Sequence, residues 1–214
     1  MSISITICEE ELTLAKERAL FLPKQKLLVI SDLHLGKSAH FRKAGVQVPS
    51  TLAKDDLQRL AISIDQYEPE TLLINGDMFH HELNTDVDDF EKWKQNYPLL
   101  KFVLVKGNHD RLTNKHYNDL NIEVHEPSFC TNKFCFIHDS TQCKEETLYP
   151  VSGHVHPGIT VLGKAKQRLK FPCFYFGEKY AILPAFSVFT GLFNVKAKKS
   201  DQIYAITPSQ VIKV

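Results

Sequence analysis

Five short motifs carry side chains able to bind cations or move protons. In chain order they are Asp32-Leu33-His34, Gly76-Asp77, Gly107-Asn108-His109-Asp110, the single residue His138, and Gly153-His154-Val155-His156. An Asp-x-His spacing in a loop lets two side chains flank one cation. A carboxylate such as Asp77 has two oxygens and can bridge two cations, Asn108 offers a neutral amide oxygen, and the imidazoles supply the remaining donors. An oxygen and nitrogen set without thiolate suits two divalent ions, Mn²⁺ first, with Fe or Zn²⁺ as alternatives. Two such ions about 3.5–4 Å apart clamp the attacking and leaving oxygens of an in-line displacement at phosphorus and make water more acidic. Taken singly, each motif has a plainer explanation: a helix cap, an αL turn, or a strand with outward histidines. Taken together, in order and each after a strand-like run, they point to a metal site.

The elements that must position these residues are short apolar runs alternating with helical patterns. Strands are predicted over Ser2–Cys8, Ala19–Leu22, Leu27–Ile30, Thr71–Ile74, Phe102–Val105 and Leu148–Val151, with a hairpin formed by Phe129–Cys130 and Phe134–Ile137. A helix is expected from about Ser50 to Gln66. Leu57, Leu60, Ala61 and Ile64 share one of its faces, and Ser50 or Thr51 is placed to cap it. A second is expected over Asp86–Tyr97, closed by Pro98. The remainder is strand-rich, with turns at Gly163 and Gly177-Glu178. Side chains at the carboxyl ends of buried strands in an α/β fold converge on one crevice, so sequence-distant groups can meet there.

The 214 residues suit one domain spanning 1–214, and 43% hydrophobic with 24% charged residues is an ordinary globular composition. A net charge of +1 gives no bulk attraction to nucleic acid, although a local basic patch is compatible with it. The five cysteines include no CxxC pair and read as reduced thiols. No signal peptide and no membrane-length apolar run is evident, so a cytoplasmic location and no membrane association are expected.

The five motifs resemble those of the calcineurin-like metallophosphoesterase superfamily. That resemblance implies an α/β fold, a four-layer αββα sandwich. It also implies Asp32, His34 and His156 at a first metal, Asn108, His138 and His154 at a second, and Asp77 between them. His109 matches the histidine that protonates the leaving oxygen or steadies the transition state. Many members carry an Asp three residues after the bridging one to orient that histidine. Here His80 stands there, which makes Asp110 a candidate partner. A narrower similarity runs through Asp32–Lys37, His40–Gly45, Gly76–His80, Gly153–Pro157, Leu169–Phe174, Leu183–Phe186 and Phe189–Gly191. It is to the bacterial ligase-associated DNA damage response metallophosphoesterases. It implies a phosphodiesterase or endonuclease acting on DNA in repair, with a helicase or ligase as partner. In that narrower family a glycine is expected where Ser187 stands.

Lys37, Arg42 and Arg111 lie just beyond metal motifs and are candidates, with His80, to hold substrate phosphate. His125 is a rival to His138 as ligand. Lys164, Lys166, Arg168 and Lys170 alternate, which suits either a face that tracks a nucleic-acid backbone or a sheet edge protected by charge. The same chemistry also fits cyclic nucleotides, nucleotide pyrophosphates or phosphoproteins. An inactive scaffold would lack ligands, and here every ligand position is filled.

Overall fold

The computed structural model describes residues 1–37, 41, 45, 49, 51–79, 85–163 and 167–214. In chain order the elements begin with β1 (Ile3–Ile7), β2 (Glu10–Leu14), β3 (Leu20–Leu22), β4 (Leu27–Ile30), α1 (Leu52–Tyr67), β5 (Thr71–Asn75), α2 (Thr85–Lys94), β6 (Lys101–Val105), α3 (Asn114–Asp119) and β7 (Glu123–His125). They continue with β8 (Ser128–Cys130), β9 (Phe134–Ile137), β10 (Tyr149–Ser152), β11 (Pro157–Leu162), β12 (Arg168–Phe176), β13 (Ala181–Ile182), β14 (Phe193–Asn194), β15 (Gln202–Ile206) and β16 (Val211–Lys213). Strands β1 to β7 form one sheet in sequence order. Its first half is antiparallel, and β4, β5, β6 and β7 are parallel. The second sheet runs β14-β11-β12-β13-β10-β9-β8, with β15 and β16 added through β12.

Continuous apolar runs become strands because both faces of the first sheet are covered. Leu28, Ile30, Leu72, Ile74, Phe102 and Leu104 pack under the helices. Leu27, Val29, Leu73, Val103 and Val105 alternate with them and face Phe134, Phe136, Phe174 and Phe176 of the second sheet. The β4-α1-β5, β5-α2-β6 and β6-α3-β7 crossovers all step in one direction, and right-handed crossovers then place all three helices on one face. The mixed α/β architecture with two packed sheets agrees with the expectation. On the far face of the second sheet, the described residues form a small cluster of Cys173, Tyr175, Ile182 and Ile203, with Ile159 and Val195 against it.

The predicted strands and both helices are present, with ends shifted by a few residues. Helix α2 stops at Lys94, three residues before Tyr97, and turns continue to Pro98. Thr51 does sit at the start of α1, but its backbone is helical and its side chain caps nothing; Ser50 is outside the described residues. Elements without a periodic signal were β2, β7 and α3. In β2 the acidic pair hides a strand, because Glu10 turns inward to accept from Gln25 while Leu12 and Leu14 enter the core. No described helix is long and apolar enough to cross a membrane.

Phe136 is fully buried between the sheets. Phe136→Ala should lower unfolding free energy by about 3–5 kcal/mol, as read from chemical denaturation.

Candidate metal centre

Strands β4 and β5 end side by side, and their pairing continues into the loops beyond. Asp32 N donates to the Gly76 carbonyl at 3.1 Å, His34 N to the Asp77 carbonyl at 2.8 Å, and Leu35 N to the Met78 carbonyl at 2.9 Å. This carries Asp32 and His34 alongside Asp77. Asp32, His34, Asp77, His154 and His156 all have left-handed backbones, with φ of 53°, 50°, 52°, 65° and 53°. Such φ values are uncommon away from glycine, and their clustering marks strain held in place by the surrounding structure. Gly76 shows how close the packing is. Its φ is +85°, and a Cβ there would overlap the His138 ring. A Cβ on Gly153 would overlap the Ser31 hydroxyl.

Two donor groups result. Asp32, His34 and His156 form one; Asp77, His138 and His154 form the other, and within each group the donor atoms lie within 4.8 Å of one another. Asp77 faces both. Its Oδ2 is 3.8 Å from His34 Nε2 and 3.5 Å from His138 Nε2, while its Oδ1 accepts from the His109 amide at 2.9 Å. Asn108 Oδ1 and His154 Nδ1 each lie 3.1 Å from His138 Nε2. His156 Nε2 is 3.4 Å from Asp32 Oδ1.

The donor set fits divalent cations. One imidazole nitrogen, His138 Nε2, faces an amide oxygen, a carboxylate oxygen and a second imidazole nitrogen. A single proton can satisfy only one of these, whereas a cation among them satisfies all. Burial lowers the His34 pKa to about 3, opposed by the Asp32 charge and reinforced by Lys37, so the ring is neutral and its lone pair available. Burial acts to raise the Asp32 pKa, but the His156 hydrogen bond, the charges of His156 and His138, and the Ser31 hydroxyl outweigh it and keep the carboxyl ionised. The carboxylates and His34 and His138 are buried, while Asn108 and His154 are exposed. The second group therefore opens to solvent, into a cleft of about 350 Å³ lined by Lys106, Asn108, Glu126, His138, Gln142 and His154.

All seven expected ligands are thus brought together. The rival His125 is not among them: it ends β7 and pairs with Glu123 Oε1 at 2.6 Å. The His109 ring stands edge-on to His34, with centroids 5.5 Å apart. Asp110 does not take the place of an orienting partner. Its Oδ1 accepts from the Met78 and Phe79 amides at 2.9 and 3.1 Å, and its Oδ2 from the Gly107 amide at 2.9 Å. The reason is position: Asp110 turns under the loop and locks the β6 end to the β5 end. Burial raises its pKa to about 6, against the pull of those amides. Lys37 is half-buried, and burial lowers its pKa while the Asp32 and Asp77 charges counteract this. Arg111 is exposed and lines neither donor group nor the cleft. Arg42 and His80 are outside the described residues. Ser187, where a glycine was expected, is buried and structural: its amide donates to the Asp32 carbonyl at 3.2 Å, and its own carbonyl accepts from Arg18 at 2.8 Å.

Two supporting residues were not singled out from sequence. Asn75 is fully buried, and its Nδ2 donates to the Ile137 and Val151 carbonyls at 3.2 and 3.1 Å, tying β5 to the ends of β9 and β10. The Ser31 hydroxyl lies 2.6 Å from Asp32 Oδ2 and 2.9 Å from the Asn75 carbonyl oxygen. The available signal was a polar residue closing an apolar strand immediately before each acidic motif. Asn75→Ala strands two buried carbonyls and should cost about 1–3 kcal/mol of stability. It should also weaken Mn²⁺ binding by about 10–100-fold in calorimetric titration, as loss of an outer-shell support typically does.

Residues 25–181 match the calcineurin-like phosphoesterase family, a span that covers every donor described above. Among solved structures, the chain is similar to the nuclease MPE of Pseudomonas putida, with 26% identity, all of both chains covered and a TM-score of 0.85. It is more loosely similar to Yfce, a phosphoesterase from E. coli, with 13% identity over 88% of this chain and 97% of that one and a TM-score of 0.47. None of the curated proteins searched matches it. With the family pattern running through both donor groups, the chain belongs to the calcineurin-like phosphoesterase family, hydrolases that act on phosphoester bonds.

Proposed function

We propose that the protein is a two-metal phosphodiesterase that cleaves nucleic acid, with DNA in repair as its setting. The observation that carries the two-metal reading is Asp77 Oδ2, which lies within 4 Å of a histidine from each donor group. Asp32, His34 and His156 would hold one divalent cation, Asn108, His138 and His154 the other, and Asp77 both. Cations bound there would supply Lewis-acid polarisation of the phosphate and lower the pKa of the attacking water. Manganese suits the oxygen and nitrogen donors.

The chain's own residues do the rest. The His109 amide steadies Asp77 through Oδ1 and leaves Oδ2 directed at the two histidines. The His109 ring, beside His34 and partly exposed, is placed to give a proton to the departing oxygen. Lys37, three residues beyond His34 in the chain, would hold a non-bridging phosphate oxygen and offset charge as it develops. Support for nucleic acid over a small ester comes from the full-length similarity to the P. putida nuclease and from the motifs shared with the ligase-associated enzymes.

Asp77→Asn should lower hydrolysis of bis(p-nitrophenyl) phosphate with Mn²⁺ by more than about 100-fold, beyond the effect of an outer-shell change. Activity near that of the unaltered protein would sink the shared-carboxylate reading. His109→Ala should slow a diester with a poor, alkoxide-like leaving group by about 10²–10⁴-fold while scarcely affecting a nitrophenolate. Equal slowing of both would argue against proton donation by His109. Single-stranded DNA, duplex DNA and cyclic nucleotides offered side by side should show DNA turned over first; fast cyclic-nucleotide turnover without DNA cleavage would reverse the assignment.

A further inference from the structure

The strand directions make the β11–β12 hairpin an arm beside the metal centre. Strand β10 runs toward the centre, because Gly153-His154 follows its last residue. Strand β13 is parallel to β10, and β12 is antiparallel to β13. The first residues of β12 therefore extend past the end of the sheet at which the donors sit. Strand β11 begins immediately after His156 and pairs with β12 from Gly158↔Pro172 out to Leu162↔Arg168. The arm thus grows directly from the last donor residue.

Its two faces differ. Cys173 and Tyr175 belong to the cluster on the outside of the second sheet, and Ile159, which pairs with Phe171, packs there too. Phe174 points the other way, into the core between the sheets. With a two-residue repeat, Pro172, Lys170 and Arg168 fall on the Phe174 side, which looks across toward the strand ends of the first sheet. Arg168 and Lys170 are both exposed, and Lys170 Nζ also donates to the Leu192 carbonyl. Charge is concentrated in the same stretch. Residues 157–176, the arm itself, hold four Lys and Arg (164, 166, 168, 170) and no acid, while the whole chain is only +1. Lys164 and Lys166 are outside the described residues and count here by sequence alone.

We infer that this arm is a binding surface for a polynucleotide strand, with Arg168 and Lys170 holding phosphates away from the scissile bond. It rests on the nucleic-acid reading above and adds where the polymer lies. A small phosphoester would be gripped by the metal centre alone and would gain nothing from cations on a projecting arm. A polyanion that runs past the centre would gain with each phosphate neutralised.

The test measures binding of a fluorescein-labelled oligothymidine by polarisation at a series of NaCl concentrations. It is done in an Asp77→Asn background so that cleavage does not interfere. Arg168→Ala should weaken binding several-fold and reduce the slope of log affinity against log salt by about 0.7, the loss of one single-strand phosphate contact. Lys92→Ala, the same charge change on helix α2 at the helical face, should do neither. With Asp77 intact, bis(p-nitrophenyl) phosphate turnover by Arg168→Ala should match the unaltered protein. If Arg168→Ala and Lys92→Ala behave alike, or if the oligonucleotide does not bind while the small diester is still turned over, the arm proposal is overturned and the phosphodiesterase reading stands. If the unaltered protein leaves the small diester intact, the phosphodiesterase reading itself fails, and the salt slopes still decide the arm.

Discussion

The arrangement depends on holding the ends of strands from two different sheets at a fixed separation. Asp77 comes from the first sheet and His138 and His154 from the second, and their donor atoms must fall within a few ångströms. Hydrophobic packing between sheets is non-directional and cannot set that spacing. The Asn75 side chain does so through directional hydrogen bonds, reaching from β5 to the carbonyls that close β9 and β10. Further links surround it: the Ser31–Ala185 bridge, and the Phe186 and Ser187 amides donating to the carbonyls of Ser31 and Asp32.

Buried charge and strained backbone then become tolerable. Five donor residues hold left-handed φ angles, and two carboxylates are almost wholly removed from water. Neither would persist in isolation, since burying an unpaired charge is costly and each such φ opposes folding. Asp110 contributes on the other side of the loop, where its carboxylate collects three amides that would otherwise be orphaned. A second, partly buried polar cluster supports the site from behind. Arg18 donates to the Ala185 and Ser187 carbonyls, and Arg59 pairs with Asp56 at 2.8 Å while lying over the Phe186 ring. This fastens the returning segment of the second sheet to α1 and to the β2–β3 turn.

The donor residues were legible because metal chemistry restricts which side chains serve. Asp, Asn and His at the ends of apolar strands form a pattern that chance rarely assembles five times in order. The strands were legible for a related reason: with both faces buried, Leu27–Ile30, Leu72–Ile74 and Phe102–Val105 have to be apolar throughout. Less legible were β2, whose inward Glu10 looks like an interruption, and α3, whose six residues hold a single core side chain, Tyr117, and so carry no period.

The sequence by itself determined the donor set, the order in which it is delivered and the parallel strands that deliver it, since those follow from side-chain chemistry and local apolar pattern. Tertiary structure decided the rest. It chose His138 over His125, because only the β9 end is drawn against Asn75 and Gly76 while His125 stays at an edge with Glu123. It gave Asp110 to the backbone amides in place of His109, and it aligned the β11–β12 arm with the metal end of the second sheet. Each of those depends on which strand ends lie side by side, a long-range pairing that no local window of residues encodes.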